Sequence, residues 1–234
     1  MREPIGSFAT FQEFFTRELR DGARTIDPAP DAFVSPCDGF WGASGEVRDG
    51  TLLQVKGREY SLARLLGGDP EAAAFEGGNF ATLYLSPRDY HRFHAPCDVE
   101  VVCARYLPGT LWPVNRLGLE GVEGLFVQNE RICTWMRVAG APGEPGLCLV
   151  AVGATFVGSV RVSFDDLATN LAGAAGASRS YEPPVAYERG GEWGRFEFGS
   201  TIVLLAAAGV VDLDLGQPGA PLRLGRRIGT LLAA

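Results

Sequence analysis

A series of short segments rich in β-branched and aromatic residues constrains this chain most. Typical examples are "TLLQVKG", "NFATLYLS", "VEVVCARYL", "ERICTWMRV" and "LCLVAVGATFVGSVRVSF". Segments of this length and composition are typical of strands, and the Gly and Pro residues that break them favour turns. We therefore predict a mostly β fold (α+β), with an antiparallel β-sheet or barrel-like core and a short helical N-terminal arm.

The helical arm is predicted within residues 1–30. Its apolar residues recur at helical intervals and would form one face of a helix of about three turns; they are Phe8, Phe11, Phe14, Phe15 and Leu19. This face either covers the core or lies on a membrane surface. A second short helix is predicted at "SLARLLGG", with Ser61 as its N-cap and Gly67 as its stop. Residues 165–194, rich in Gly, Ala, Ser and Pro, are predicted to form a long, partly mobile surface excursion.

The charge and the cysteines exclude several classes of protein. A net charge of −7 argues against nucleic-acid binding, and the short cluster Arg223, Arg226 and Arg227 does not alter this. The cysteine count is odd (five) and no Cys-x-x-Cys pair occurs, which indicates a reducing cytoplasm rather than a disulfide framework. The sequence lacks a secretory signal and a long apolar run, so we expect a soluble or peripheral protein.

The two histidines of the chain lie only three residues apart, in "YLSPRDYHRFHAP". Because imidazole exchanges protons near neutral pH, His91 and His94 are candidates for acid–base chemistry. The alternative is a pair of hydrogen-bonded, inert side chains on a loop. Cys97 and Asp89 are close in sequence, but their spacing fits no tetrahedral zinc site, so no metal is predicted.

Asp38 in "VSPCDGF" and Ser200 in "RFEFGSTIVLL" complete an Asp–His–Ser set with His94. In such a set the carboxylate orients the imidazole, which accepts the proton of the hydroxyl. Both residues could equally be ordinary turn residues. Ser200 lacks the Gly-x-Ser-x-Gly elbow of hydrolases and directly follows Gly199. The conformational freedom of Gly199 suits attack of Ser200 Oγ on the Gly199 carbonyl carbon, so the chain would cut itself.

These motifs resemble those of the phosphatidylserine decarboxylase proenzymes, of the bacterial type related to the enterobacterial enzyme. The resemblance covers nearly the whole chain, with the motifs in family order and at family-like spacing. The motifs are "TFQEFFTRELRDGARTID", "SPCDG", "YSLARLLGG", "LYLSPRDYHRFHAPCD", "LPGTLWPVN", "LFVQNERICTW", "VAVGATFVGSV" and "EWGRFEFGST". The double-histidine motif and the Gly-Ser-Thr are the most specific of them.

The resemblance implies a self-processing decarboxylase domain over residues 31–234. Ser200, helped by His94 and Asp38, would attack the Gly199 carbonyl and convert the peptide bond into an ester. β-Elimination would then leave a dehydroalanine, which becomes a pyruvoyl group. The products would be a β chain (1–199) and an α chain (200–234) that stay associated.

The resemblance also implies the second chemistry. The covalent pyruvoyl group derived from Ser200 would be the cofactor, forming a Schiff base with the amine of phosphatidylserine and yielding phosphatidylethanolamine. His91 is the candidate proton donor and substrate contact. The expected location is peripheral, on the cytoplasmic face of the membrane, with a homodimer as a possible assembly.

The sequence departs from the family pattern in several places. Fuller members carry a longer N-terminal segment, so membrane docking is expected on the Phe8–Phe15 face and on apolar loops that include Phe40 and Trp41. Val99 and Phe198 replace commoner residues at positions without a chemical role. Three alternatives stay open: a serine hydrolase using Asp38, His94 and Ser200, a non-catalytic β-rich module, and a pyruvoyl decarboxylase acting on a soluble amino acid.

Overall fold

The computed structural model describes residues 1–53, 59–68, 70–141, 143–155, 159–170, 175–197 and 200–232. The strands are β1 (Ala32–Val34), β2 (Gly39–Glu46), β3 (Thr51–Leu53), β4 (Glu59–Ser61), β5 (Asn79–Leu85), β6 (Arg92–His94), β7 (Val99–Leu107), β8 (Arg131–Val138), β9 (Leu147–Val152), β10 (Val160–Val162), β11 (Ala177–Tyr187), β12 (Glu192–Phe196), β13 (Ser200–Ala206), β14 (Val211–Leu213), β15 (Pro221–Leu222) and β16 (Arg227–Leu231). The helices are α1 (Phe11–Phe15), α2 (Leu62–Leu66), α3 (Arg116–Gly121) and α4 (Leu125–Gln128), with 3₁₀ turns at Ile5–Ser7 and Pro70–Phe75.

An eight-stranded sheet in the order β11-β7-β8-β9-β13-β5-β2-β15 forms the centre of the molecule. Two three-stranded sheets, β1-β16-β14 and β10-β12-β6, and the pair β3-β4 complete the strands. The pairings between these strands are antiparallel. The predicted mostly β, antiparallel fold is therefore confirmed. The sheets that the described strands form are open, and none of them closes into a barrel.

The large sheet is buried on both faces. Along β13, Ile202 and Leu204 pack into one apolar cluster together with residues of the small sheets, such as Phe93. Val203 and Leu205 pack into a second cluster that contains Leu65 of α2. A strand covered on both sides needs apolar residues at successive positions, which explains the unbroken run after Thr201.

Helix α1 is shorter than predicted. A capping box of Thr10 and Glu13 starts it at Phe11, but it ends at Phe15 instead of continuing to Leu19. The arginine side chains explain the early end. Arg17 Nη1 donates to the Phe14 carbonyl at 3.2 Å, and Arg92 Nη2 donates to the Thr16 carbonyl at 2.8 Å. These two carbonyls would otherwise accept the hydrogen bonds of the next helical turn.

Helix α2 forms where the sequence predicts it. The hydroxyl of Ser61 accepts a hydrogen bond from the backbone N–H of Arg64, and Gly67 ends the helix in the left-handed conformation at φ 85°. The left-handed backbone favours glycine at this position, and a side chain there would also require the Leu107 side chain to shift.

The predicted excursion at 165–194 lies at the surface along β11, but the prediction of an irregular segment is wrong where strands form. Residues 171–174 lie outside the described residues, but β11 and β12 occupy much of the remainder. β11 is an edge strand whose backbone pairs with β7, and its ladder shifts between Ser180 and Val185, where Pro183 and Pro184 lack N–H donors. Backbone pairing needs no apolar pattern, so composition was a poor guide to this strand.

Candidate active site

Ser200 is the first residue of the central strand β13. Its backbone lies opposite Leu85 of β5, and the next residue, Thr201, lies opposite Val152 of β9. The predicted scissile bond involves Gly199, which lies outside the described residues together with Phe198. On the upstream side, the N–H of Glu197 donates to the Ser159 carbonyl at 2.8 Å. The backbone is therefore anchored on both sides of the predicted cleavage point.

Several buried polar atoms near this point have no hydrogen-bond partner in the described part of the chain. They are Ser86 Oγ, His91 Nε2, Ser159 Oγ and Thr201 Oγ1. Their backbones adjoin the predicted cleavage point: Ser86 follows Leu85, and the His91 carbonyl accepts from the Phe196 N–H at 2.8 Å. An unpaired buried polar group costs about 1–3 kcal/mol, so a group of them indicates a site prepared for chemistry.

His91 is fully buried, and its ring lies 3.8 Å, between centroids, from the ring of Phe15 in α1. Its Nδ1 lies 2.9 Å from the carbonyl oxygen of Asp89. Since a carbonyl oxygen only accepts, Nδ1 carries the proton and Nε2 is the basic nitrogen. Burial, with a smaller effect from the charge of Arg17, lowers the pKa of His91 to about 4. This imidazole is therefore neutral at pH 7.

His94 is only partly exposed, and both of its ring nitrogens have partners. Nδ1 lies 2.8 Å from the Gly190 carbonyl oxygen, and Nε2 lies 3.1 Å from the hydroxyl of Tyr90. By the same reasoning Nδ1 donates, and Nε2 accepts the proton of Tyr90. Burial is the main cause that lowers the pKa of His94, while the charges of Glu192 and Asp38 act in the opposite direction. Burial also raises the pKa of Tyr90 well above its ordinary value, so Tyr90 remains a donor.

Asp38 is buried and forms an ion pair with Arg24. The guanidinium donates through Nε to Oδ1 at 2.9 Å and through Nη2 to Oδ2, and the backbone N–H of Leu224 donates to Oδ1 at 2.9 Å. Within the described residues no hydrogen bond joins Asp38 to His94. The two segments are nevertheless adjacent, because the N–H of His94 donates to the Pro36 carbonyl at 2.8 Å.

A cleft of about 330 Å³ connects these groups. Tyr90 and His94 line it together with Arg24 and Leu224, the two partners of Asp38. Tyr90 and Arg24 are not among the residues predicted from the sequence. Tyr90 lies four residues before His94 in the double-histidine motif, and this proximity was the available signal. Arg24 offered none, since only the fold shows that its guanidinium meets Asp38.

His91 directly precedes β6, and His94 is the last residue of that strand. His94 pairs with Glu192 of β12, whereas His91 lies opposite Phe196 at the end of β12 that leads to Ser200. Backbone register thus places His91 nearer than His94 to the start of β13. The Asp38, His94 and Ser200 assignment stays a prediction, since Gly199 and the side chain of Ser200 are not described.

No group of three or more His, Cys, Asp or Glu side chains in the described residues is arranged to hold a metal ion. Cys97 is buried, and burial raises the pKa of its thiol to about 12. It is therefore protonated at neutral pH, which is unfavourable for metal binding.

Comparison with known proteins adds independent information. A family model described as phosphatidylserine decarboxylase matches residues 11–230. The phosphatidylserine decarboxylase proenzyme of Brevibacillus brevis is 42% identical over 232 residues, which cover 98% of this chain and 82% of that protein. The proenzyme of Anaeromyxobacter sp. (strain K) is 46% identical over 226 residues, covering 95% of this chain and 78% of its own length. The matched region extends on both sides of Ser200.

Proposed function

Because the chain belongs to the phosphatidylserine decarboxylase family, we propose that it cleaves itself between Gly199 and Ser200 and then decarboxylates phosphatidylserine to phosphatidylethanolamine. The observation that carries the proposal is the position of Ser200 at the start of a buried central strand, next to buried polar atoms that have no partner among the described residues. The family match supports the substrate, and the local structure supports the place of the reaction.

In the first step, Ser200 Oγ attacks the carbonyl carbon of Gly199. The hydroxyl loses its proton, the peptide C–N bond breaks, and the nitrogen of Ser200 takes up a proton to become an amine. We assign the role of base to His94, whose Nε2 holds a lone pair, and the supporting charge to Asp38. Since Nε2 accepts the Tyr90 hydroxyl, His94 acts as base only after exchanging Tyr90 for the Ser200 hydroxyl.

In the second step, the Cα proton of Ser200 is removed and the bond between Cβ and Oγ of Ser200 breaks. Gly199 leaves with that oxygen as a C-terminal carboxylate. The resulting dehydroalanine tautomerises to an imine, and water releases ammonia to leave the pyruvoyl group at position 200. Pairing of β13 with both β5 and β9 over Thr201–Ala206 supports continued association of the two fragments.

The residues around position 200 fit a pyruvoyl group. The hydroxyls of Ser86 and Thr201 are buried, without partners in the described chain, and able to donate to a carbonyl oxygen. The pyruvoyl carbonyl supplies an electron sink for the electron pair left by departing CO₂, which amino-acid side chains do not provide. We assign His91 to proton transfer at the substrate α-carbon, because its buried Nε2 faces no described partner. The ring is neutral at pH 7, so Nε2 first takes up the proton that the substrate ammonium group loses when it becomes a nucleophilic amine, and then delivers a proton to the α-carbon. The low pKa of His91 makes the protonated ring a strong acid for this delivery.

Lipid access is assigned to the N-terminal arm. Ile5 and Phe11 are exposed by 70% and 59%, as expected for side chains that enter a membrane surface. Trp41 was expected to contribute to membrane docking, but it is buried in the core at 7% exposure, so that prediction is wrong. In the described part of the chain, no helix combines the length and the apolar character needed to cross a membrane. Peripheral binding at the cytoplasmic face of the membrane is part of the proposal and rests on the exposed apolar side chains of the arm, and a homodimer stays a prediction.

Intact mass under denaturing conditions tests the proposal. We expect two chains, the smaller containing the 35 residues from 200 to 234 and starting with a keto group, and one uncut chain for Ser200→Ala. Phosphatidylserine vesicles should then release CO₂ only with the cleaved protein. An uncut active protein that hydrolyses esters would instead support a serine hydrolase. A cleaved protein that is inactive on vesicles but decarboxylates a free amino acid would contradict the lipid substrate.

A further inference from the structure

Glu130 lies in the same row of the central sheet as Ser200. β9 pairs with β13 through Val152 and Thr201, so continuing the register by one residue places Gly153 opposite Ser200. β8 pairs with β9 through Arg131 and Val152, and the Gly153 N–H donates to the Glu130 carbonyl at 2.9 Å. Glu130 and Ser200 are therefore separated by a single strand, and that strand carries a glycine between them.

The alternation of side chains places Glu130 and Gly153 on one face of the sheet. Ile132 on β8 lies two residues from Glu130, and Ala151 on β9 lies two residues from Gly153. Both belong to the same apolar cluster as Ile202 on β13, and residues two apart on a strand share a face. The side chain of Glu130 extends over Gly153. A Cβ built on Gly153 would lie 3.2 Å from Glu130 Cγ and 3.3 Å from its Oε1. The carboxylate thus occupies the space that the missing side chain leaves, about one strand spacing (about 4.8 Å) from the backbone of position 200.

The carboxylate of Glu130 is buried and held by neutral donors. Oε1 accepts the Thr169 hydroxyl at 2.7 Å, and Oε2 accepts the Asn170 N–H at 3.1 Å and the Tyr106 hydroxyl at 3.3 Å. No Lys or Arg in the described residues forms an ion pair with it. A carboxylate offers about four acceptor sites, and donors in the described part of the chain fill three of them. The fourth site is on Oε1, the oxygen above Gly153.

We propose that Glu130 binds the ammonium group of the amino-acid headgroup and holds it next to position 200. This inference rests on the proposed function and adds a substrate-binding residue to it. A buried anion without a cation is unfavourable, and a cationic ligand would relieve that cost while completing its hydrogen bonds. The amine of the headgroup would thereby lie next to position 200, where the pyruvoyl carbonyl with which it reacts is generated.

Two probes of the cleaved protein distinguish this role from a structural one. Ethanolamine is a cation at neutral pH, and its adduct with the keto group of the chain 200–234 is trapped with cyanoborohydride. Methoxyamine is neutral and forms an oxime at the same carbonyl without a charge requirement. Both products are measured by the mass of the small chain, independently of decarboxylation.

For Glu130→Gln we expect normal cleavage, an oxime rate like that of the unsubstituted protein, and an ethanolamine adduct rate lower by at least about tenfold, as loss of a charged hydrogen bond implies. Glu130→Asp keeps the charge and should retain more ethanolamine reaction than Glu130→Gln. Glu100→Gln, which removes a carboxylate paired with Arg137 on β8, is the matched control and should leave both rates unchanged.

The inference would be overturned if Glu130→Gln slowed the reactions with both probes equally, or slowed neither reaction. A Glu130→Gln chain that stays uncut while the unsubstituted chain cleaves would also overturn it. If Glu130→Gln does not fold, the ratio of the two rates in Glu130→Asp decides, because a purely structural role predicts an unchanged ratio. Failure of the proposed function is separate, since the unsubstituted chain would then show no cleavage before any probe is added.

Discussion

The hydroxyl of Tyr90 donates to Nε2 of His94 across 3.1 Å, so the nitrogen proposed as the base of self-cleavage is already engaged. Nδ1 of the same ring donates to the Gly190 carbonyl, which fixes the tautomer and the direction of the lone pair. Tyr90 thus keeps His94 neutral and oriented, but it also competes with Ser200 for Nε2.

Tyr90→Phe removes this competition with little change in shape. We expect the variant to cleave at least as fast as the unsubstituted chain, since Nε2 no longer needs to exchange partners. The measurement is a time course of uncut and cut chain by mass after synthesis. His94→Ala provides the control and should stay uncut. A Tyr90→Phe chain that fails to cleave would show that the tyrosine assists the base.

The two histidines should separate the two reactions. His91→Ala is expected to cleave but to release CO₂ from phosphatidylserine at least about a hundredfold more slowly, the usual effect of removing a general acid. His94→Ala should block cleavage and therefore everything that follows. Chain masses and CO₂ release are measured on the same samples. The reverse pattern, with His91→Ala uncut and His94→Ala cut, would exchange the two assignments.

Burial of neutral His91 predicts a pH dependence of stability. Its folded pKa of about 4 lies below its ordinary value of 6.5, so the unfolded chain binds a proton that the folded chain does not. Stability is therefore lost as the pH falls from about 6.5 towards 4, by about 2 kcal/mol at pH 5 for this one group.

Urea unfolding of the uncut Ser200→Ala chain at pH 7 and pH 5 measures this effect. The loss between the two pH values should be smaller by about 2 kcal/mol when His91→Gln is added. His94 remains in both chains, so its own titration cancels in the comparison. Equal losses in the two chains would mean that His91 is protonated in the folded protein.

The ion pair of Arg24 and Asp38 should contribute to stability through the charge that it neutralises. Arg24→Met leaves a largely buried carboxylate without its cation, and we expect a loss of about 3 kcal/mol in the free energy of unfolding. Arg48→Met breaks the exposed pair with Glu46 and should leave the free energy of unfolding nearly unchanged, because solvent screens that pair. Urea unfolding of both variants at pH 7 makes the comparison. Similar losses would show that the buried position of Asp38 carries no special cost.

Much of the fold could be predicted from the sequence, because its signals are local. The segment "VEVVCARYL" is β7, and "NFATLYLS" contains β5, since each has enough β-branched and aromatic residues to favour a strand. The predictions for α1 and β11 failed for the opposite reason. Arg92 removes a carbonyl from α1 across 76 residues of sequence, and β11 forms because the backbone of β7 pairs with it.

For the candidate site too, some features follow from the sequence and others only from the tertiary structure. The sequence by itself determined which residues are chemically able to act: two imidazoles, one carboxylate, and a serine after a glycine before a buried strand. Only the tertiary structure decided the partners: Arg24 for Asp38, Tyr90 for His94, and none among the described residues for Nε2 of His91. The reason is that a residue's chemistry belongs to its own side chain. Its hydrogen bonds and burial depend instead on groups that folding brings together from distant parts of the chain.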